Sequence, residues 1–113
     1  MQKRYIALDF DGTICEHEFP EIGKLKSNVI IKLYNYLDML RKRLNIEPVI
    51  ILYTCRENMK ERAYLTEAVD FCKLHDIPIK YVNENPEVNF GGRKMFADEY
   101  WDDRAFNPLR EEK

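Results

Sequence analysis

The stretch Leu8-Asp9-Phe10-Asp11-Gly12-Thr13 sets two carboxylates one residue apart where an apolar run ends. Asp102 and Asp103 stand together after another apolar run, Met95 to Trp101, and between the two pairs come Thr54 and Lys94. Carboxylates that converge resist joint ionisation unless a cation shares their site. Oxygen ligands select a hard divalent ion, and Mg2+ is the default where phosphate is handled. Thr54 then supplies a hydroxyl donor and Lys94 a fixed positive charge for an oxyanion. The set is what phosphoryl transfer to a carboxylate requires. In that scheme Asp9 attacks phosphorus and becomes an aspartyl-phosphate. Asp11, kept in its acid form by its neighbours, protonates the leaving oxygen and later takes a proton from the attacking water. Mg2+, Lys94 and donors near Thr54 offset the repulsion between Asp9 and an incoming phosphate dianion. Gly12 allows a sharp turn behind the pair, and Thr13 is expected to hold that loop.

Those residues need elements to bring them together. Arg4 to Phe10, Pro48 to Thr54 and Ile79 to Asn83 are short apolar runs of the kind that form strands buried on both faces. Ile30, Leu33, Leu37, Leu40 and Leu44 recur at helical spacing between the first two, and Leu65, Ala68, Val69 and Cys72 do so between the second and third. Asn58 with Glu61 reads as a capping box for the second helix, and Pro78 stops it. Met95 to Trp101 predicts a fourth strand. Strand and helix alternation implies a parallel sheet with right-handed crossovers, in which ligands bind beyond the carboxyl ends of the strands. Asp9, Asp11, Thr54, Asp102 and Asp103 all fall on that edge. The stretches 12–27 and 84–93 are the two long loops, a length that favours a functional role.

At 113 residues the chain reads as one domain, 1–113, able to bury very roughly two thirds of its unfolded surface. Eighteen Lys and Arg against 20 Asp and Glu leave a net charge of −2, which disfavours nucleic acid as a partner. No apolar stretch is long enough for a membrane span. Three unclustered cysteines, Cys15, Cys55 and Cys72, and a strand where a signal peptide would carry its apolar core, point to a reducing cytoplasm. Cys15 and His17 could form half of a metal site, but no second pair lies nearby.

The motif DFDGT, a strand ending in Thr, a Lys and a strand ending in DD occur in order across residues 5–103. In this the chain resembles the haloacid dehalogenase (HAD) superfamily. EHEFPEIGK, NENP and RKMFADEYWDD further resemble a group of very small HAD-like hydrolases of bacteria and phages. The resemblance implies an α/β, Rossmann-like α/β/α sandwich of three layers with strand order 4-1-2-3, the order that sets the first and fourth strands side by side. It implies that Asp9 is the nucleophile, Asp11 the general acid and base, and Thr54 a phosphoryl ligand. Lys94 steadies the nucleophile, although Arg93 beside it could fill that place. Asp102 and Asp103 hold Mg2+ with the Asp9 carboxylate and the Asp11 main-chain carbonyl. Gly12, Thr13, Cys55 and Arg56 flank these positions as expected substrate contacts. The loops are too short for the cap domain many members carry, so the site should be open. The chain ends soon after Asp103, leaving no sequence for the usual fifth strand and an edge that could make a homo-oligomer contact.

Less specific readings of the same residues also exist. A calcium loop fails, because Ile14 stands where glycine is needed and Pro20 where glutamate is needed. A phosphate-accepting receiver domain would carry its acidic pair first and its acceptor later. Asp98 and Glu99 read as a solvated edge, His17 as a solvated loop residue, and Phe19 with Trp101 as walls of the site. The substrate expected is a small phosphorylated metabolite, a sugar phosphate or a nucleotide. The alternatives are a phosphatase of nucleic-acid ends and a non-catalytic Mg2+-binding module.

Overall fold

The computed structural model describes residues 2–88 and 95–102. Its elements are β1 (Gln2–Asp9), α1 (Ser27–Lys42), β2 (Ile46–Tyr53), α2 (Tyr64–Leu74), β3 (Ile79–Val82) and β4 (Glu99–Trp101). All strand pairs are parallel. The sheet order β3-β2-β1-β4, read from β4, is 4-1-2-3.

Register and alternation decide which side chains meet. Ile6 pairs with Ile50 and Leu8 with Leu52, so these four share one face. There they pack with Ile30, Leu33, Leu37 and Leu40 of α1, Ala68 and Cys72 of α2, and Trp101 of β4. Each large aliphatic chain buried in this way contributes about 1.5–3 kcal/mol. Leu44 lies past the end of α1 and is exposed. Two right-handed crossovers running in the same direction across a sheet put both helices on one side. Ala7, Val49 and Ile51 are buried on the other side. On that side Phe96 meets Tyr5, and Tyr100 of β4 meets Tyr53. The α/β class with its parallel sheet is therefore present, whereas a helical third layer is not found among the described residues.

The segment before α2 differs from expectation. The helix starts at Tyr64 and has no side-chain cap bond at its own N-cap, Ala63. Residues 58–63 instead fold back, with Asn58 bridged to Ala63 and Met59 N–H donating to the Arg62 carbonyl at 2.8 Å. Asn58 Oδ1 thereby accepts from Leu65 and Thr66 N–H, both at 3.0 Å. Asn58 does cap the helix, but across a fold-back and without Glu61.

β4 is short because residues 95–98 lie outside the ladder. Glu99 holds it in place: its carboxylate accepts from Arg4 Nε at 2.7 Å, Trp101 Nε1 at 2.9 Å, and the Tyr36 hydroxyl. Burial, then the bond to Glu99, pushes the Tyr36 hydroxyl up to about 12. Glu99 is thus no solvated edge residue, and it joins β4 to β1 and α1. On the other face Glu87 accepts from Lys3 at 2.8 Å, Lys80 at 2.7 Å, Tyr81 at 2.6 Å and Tyr5 at 3.1 Å.

Candidate functional site

The carboxyl ends of β1, β2 and β4 open into one cleft of about 400 Å³. Asp9, the last residue of β1, has Oδ1 accepting from Phe10 N–H at 2.9 Å. Asp11, Thr54, Cys55, Arg56 and Asp102 share the cleft with it, together with His17, Phe19 and Tyr53. Residues far apart in sequence meet here because β1 lies between β2 and β4.

Behind Asp9 the chain makes a tight turn. The Phe10 carbonyl accepts from the N–H groups of Thr13, Ile14 and Cys15 at 3.2, 3.0 and 3.4 Å. Gly12 has φ 90, a region that L side chains enter only with strain. Lys26 Nζ donates to the Gly12 carbonyl at 2.7 Å. The loop then doubles back, Glu16 N–H reaching the Lys24 carbonyl at 2.8 Å. A Cβ at Gly23 would sit 2.0 Å from the Glu16 carbonyl oxygen, so this closure needs glycine. Gly12 and Thr13 are buried inside the turn and absent from the cleft lining. Their expected substrate contact is corrected to a structural role, since the turn that brings Asp11 to the cleft faces them inward. Among the described residues the Thr13 hydroxyl has no hydrogen-bond partner.

Arg56 has the most constrained side chain of the site, 1% exposed. Its Nε donates to Asp11 Oδ2 at 2.9 Å and its Nη2 to Asp11 Oδ1 at 2.8 Å. Nη2 also reaches the Glu21 carbonyl at 3.0 Å and Nη1 the Pro20 carbonyl at 3.3 Å. The Phe10 and Phe19 rings lie 5.2 and 4.9 Å from the guanidinium carbon. A guanidinium has five N–H donors in a fixed fork, and here the fork is directed at Asp11 and the loop. Arg56 lines the cleft but orients Asp11. The side chain Asp11 meets is this cation, in a two-point ion pair.

Thr54 is set from two sides. Its N–H donates to Asn83 Oδ1 at 2.8 Å, and its Oγ1 accepts from Arg56 N–H at 3.1 Å. A hydroxyl that accepts in this way retains its own O–H to donate. Asn83, at φ 57, returns its N–H to the Leu52 carbonyl at 2.8 Å. Cys55 is exposed in the cleft. The other two thiols are buried, and burial pushes Cys15 up and Cys72 up to about 12.

Lys94, Arg93 and Asp103 lie outside the described residues. Among the described residues no three His, Cys, Asp or Glu side chains are grouped as for a metal ion. Trp101 is 1% exposed and packs against Tyr36, so it belongs to the core and does not wall the site. Tyr53 takes that place. Sequence reasoning missed Tyr53, Asn83 and Lys26. An Asn directly after a strand, where αL backbone ends the extended run, was a readable signal for Asn83. Parity along β2 could have found Tyr53, which alternates with Leu52 onto the face opposite the helices.

No family model matches the chain, and no curated protein matches it. A solved structure does: that of the conserved protein coded by locus from Bacteroides thetaiotaomicron, with a TM-score of 0.67 and 33% sequence identity. The match covers 89% of this chain and 76% of that one. No described helix is long and apolar enough to cross a membrane. At that identity, over most of both chains and in a shared fold, this chain belongs to the same family as the Bacteroides thetaiotaomicron protein.

Proposed function

We propose that the chain is a Mg2+-dependent phosphohydrolase of the HAD type, acting on small phosphate monoesters through an aspartyl-phosphate. The observation that carries this reading is the meeting of Asp9, Asp11, Thr54 and Asp102 in one cleft at the carboxyl edge of a parallel sheet. Other roles for an acidic cleft do not explain a second aspartate on the turn directly after the first.

The Asp9 and Asp102 carboxylates are hard oxygen donors lining the same cleft. Mg2+ uses one or two carboxylates and keeps several waters, so it does not require a cluster of three. These two carboxylates, with the Asp11 carbonyl, would hold it. When bound, it would neutralise charge on the phosphoryl oxygens. An Asp9 oxygen attacks phosphorus, a P–O bond to Asp9 forms and the bond to the leaving oxygen breaks. The Thr54 hydroxyl donates to a phosphoryl oxygen and orients it. Asp11 gives the leaving oxygen its proton, then accepts one from the water that attacks the aspartyl-phosphate and releases phosphate. Donating requires an Asp11 O–H, so the side chain must release one of its two Arg56 contacts in the first half and can restore it in the second.

The test is phosphate release from a panel of phosphate monoesters, with and without Mg2+, by the native protein and Asp9→Asn. Release that depends on Mg2+ and vanishes in Asp9→Asn supports the reading. Equal rates for both proteins would sink the mechanism. No turnover across the panel would favour a non-catalytic Mg2+-binding module.

A further inference from the structure

The cleft has walls that hydrolysis itself does not use. Among the described residues three aromatic side chains stand exposed: Phe19 at 51%, Tyr53 at 42% and Tyr34 at 36%. The Tyr34 hydroxyl is committed to the main-chain carbonyls of His75 and Asp76. The other two both line the cleft that holds Asp9. Neither is loosely held. The Phe19 ring rests on the Arg56 guanidinium and lies 5.7 Å from the Tyr64 ring, and Arg56 is itself fixed by Asp11, Pro20 and Glu21. Tyr53 ends a strand, with its ring 6.0 Å from that of Tyr100 at 75°. Rings already held in place lose little conformational freedom when a ligand covers them.

We infer that the cleft selects a phosphate monoester carrying a nucleobase, a nucleoside monophosphate in preference to a sugar phosphate. The inference rests on the phosphohydrolase reading for the phosphate end of the ligand. A sugar phosphate presents hydroxyls all round, and each one buried needs a hydrogen-bond partner. Beyond the carboxylates and Thr54 the wall is made of His17, Cys55, Arg56 and the Phe19 and Tyr53 rings. The Arg56 fork is already engaged by Asp11 and the loop, and the two rings are the large apolar surfaces. A base offers such rings a flat π face, and one stacked ring is worth about tenfold in affinity. The phosphorylated end of a nucleic acid carries the same chemistry. Binding a strand, however, draws on an excess of Lys and Arg, and this chain has a net charge of −2. The free nucleotide is therefore the occupant.

The experiment is calorimetric titration of Asp9→Asn protein in Mg2+ with AMP, ribose 5-phosphate and a 5′-phosphorylated hexanucleotide. AMP should bind tighter than ribose 5-phosphate by about tenfold or more. Phe19→Leu and Tyr53→Leu, which keep an apolar side chain and remove the ring, should each bring that ratio toward one by weakening AMP more than ribose 5-phosphate. Equal affinity for AMP and ribose 5-phosphate, no binding of either, or a ratio insensitive to both ring removals would overturn the inference, as would tighter binding of the hexanucleotide than of AMP. Turnover of AMP by native protein is measured alongside. Preference without turnover keeps the specificity and overturns the phosphohydrolase reading; turnover without preference does the reverse.

Discussion

Glu87 and Asp11 are both carboxylates gripped by several donors, and the grips differ in kind. Glu87 takes its bonds from four side chains, Lys3 and Tyr5 of β1 and Lys80 and Tyr81 of β3. Those two strands flank β2, so one carboxylate ties the segment between β3 and β4 to two strands at once. Asp11 takes both side-chain contacts from Arg56, which also donates to the loop at Pro20 and Glu21. Many donors from rigid strands make a staple. One donor residue, shared with a loop and placed in a cleft, makes a carboxylate that is held and can still be released.

If the comparison is right, the two regions should separate under mutation. The largest effect belongs to the cleft: Asp9→Asn should lower phosphate release by roughly a thousandfold or more. Glu87→Gln should leave the rate at saturating substrate close to native. Malachite-green detection of phosphate at fixed Mg2+ reads both.

Arg56→Met comes next, because it strikes function and fold together. It removes one member of an ion pair whose arginine side chain is 1% exposed and whose Asp11 side chain is 16% exposed. Breaking a buried pair in this way costs about 2–4 kcal/mol after allowance for the partial exposure of Asp11. The thermal midpoint should fall by more than about 10 °C, with a large loss of activity. A midpoint within a degree or two of native would show that the pair is solvated and that Arg56 does not organise the loop.

The staple should declare itself in acid. Hydrogen bonds from Lys3, Lys80 and Tyr81 hold the Glu87 carboxyl well below the usual carboxylate range. Its folded value lies below its unfolded value, so its stabilisation is complete above the unfolded value, about 4.3. That stabilisation is lost as pH falls below it toward the folded value. Urea midpoints of the native protein should therefore drop more steeply than those of Glu87→Gln between about pH 5 and pH 3. Glu21 and Glu67, held low by Arg62, add the same slope to both proteins and cancel in the comparison. Parallel slopes would mean that Glu87 is no staple.

The cleft was more legible in the sequence than the staples were. Asp9, Asp11, Thr54 and Asp102 could be placed because apolar runs mark strand ends, and strand ends in a parallel sheet share an edge. The helix stripes were read from the same kind of periodicity, and Ile30, Leu33, Leu37 and Leu40 are all buried. Glu87 and Glu99 were not readable as hubs. A carboxylate that accepts from several side chains looks, in sequence, like any charge on a solvated edge, and only the sheet order brings Lys3, Tyr5, Lys80 and Tyr81 to one carboxylate. Arg56 reads in the sequence as a substrate contact because its position two residues after Thr54 points at the cleft. Its actual partner, Asp11, lies 45 residues away in sequence. The fold-back that lets Asn58 cap α2 was hidden for a related reason: the capping box is a local pattern, and the observed cap acts across an intervening turn.

The smallest effect concerns the three thiols and distinguishes the two grips without any substrate. Cys55 is exposed in the cleft, while Cys15 and Cys72 are fully buried and burial holds both thiols in their unreactive form at pH 8. A dithionitrobenzoate assay should therefore show one fast thiol, abolished by Cys55→Ser, and two slow ones that react only as the chain opens. Cys15 lies on the turn whose continuation, at Pro20 and Glu21, Arg56 fastens. Cys72 lies on α2, within the core cluster. Arg56→Met should speed one slow thiol more than the other, because freeing the loop uncovers Cys15 while α2 stays packed. Glu87→Gln acts on the opposite face of the sheet and should speed both slow thiols in proportion to its loss of global stability. Equal acceleration of both thiols in Arg56→Met would mean that Arg56 stabilises the whole chain, as Glu87 does, and the distinction between a staple and a releasable grip would collapse.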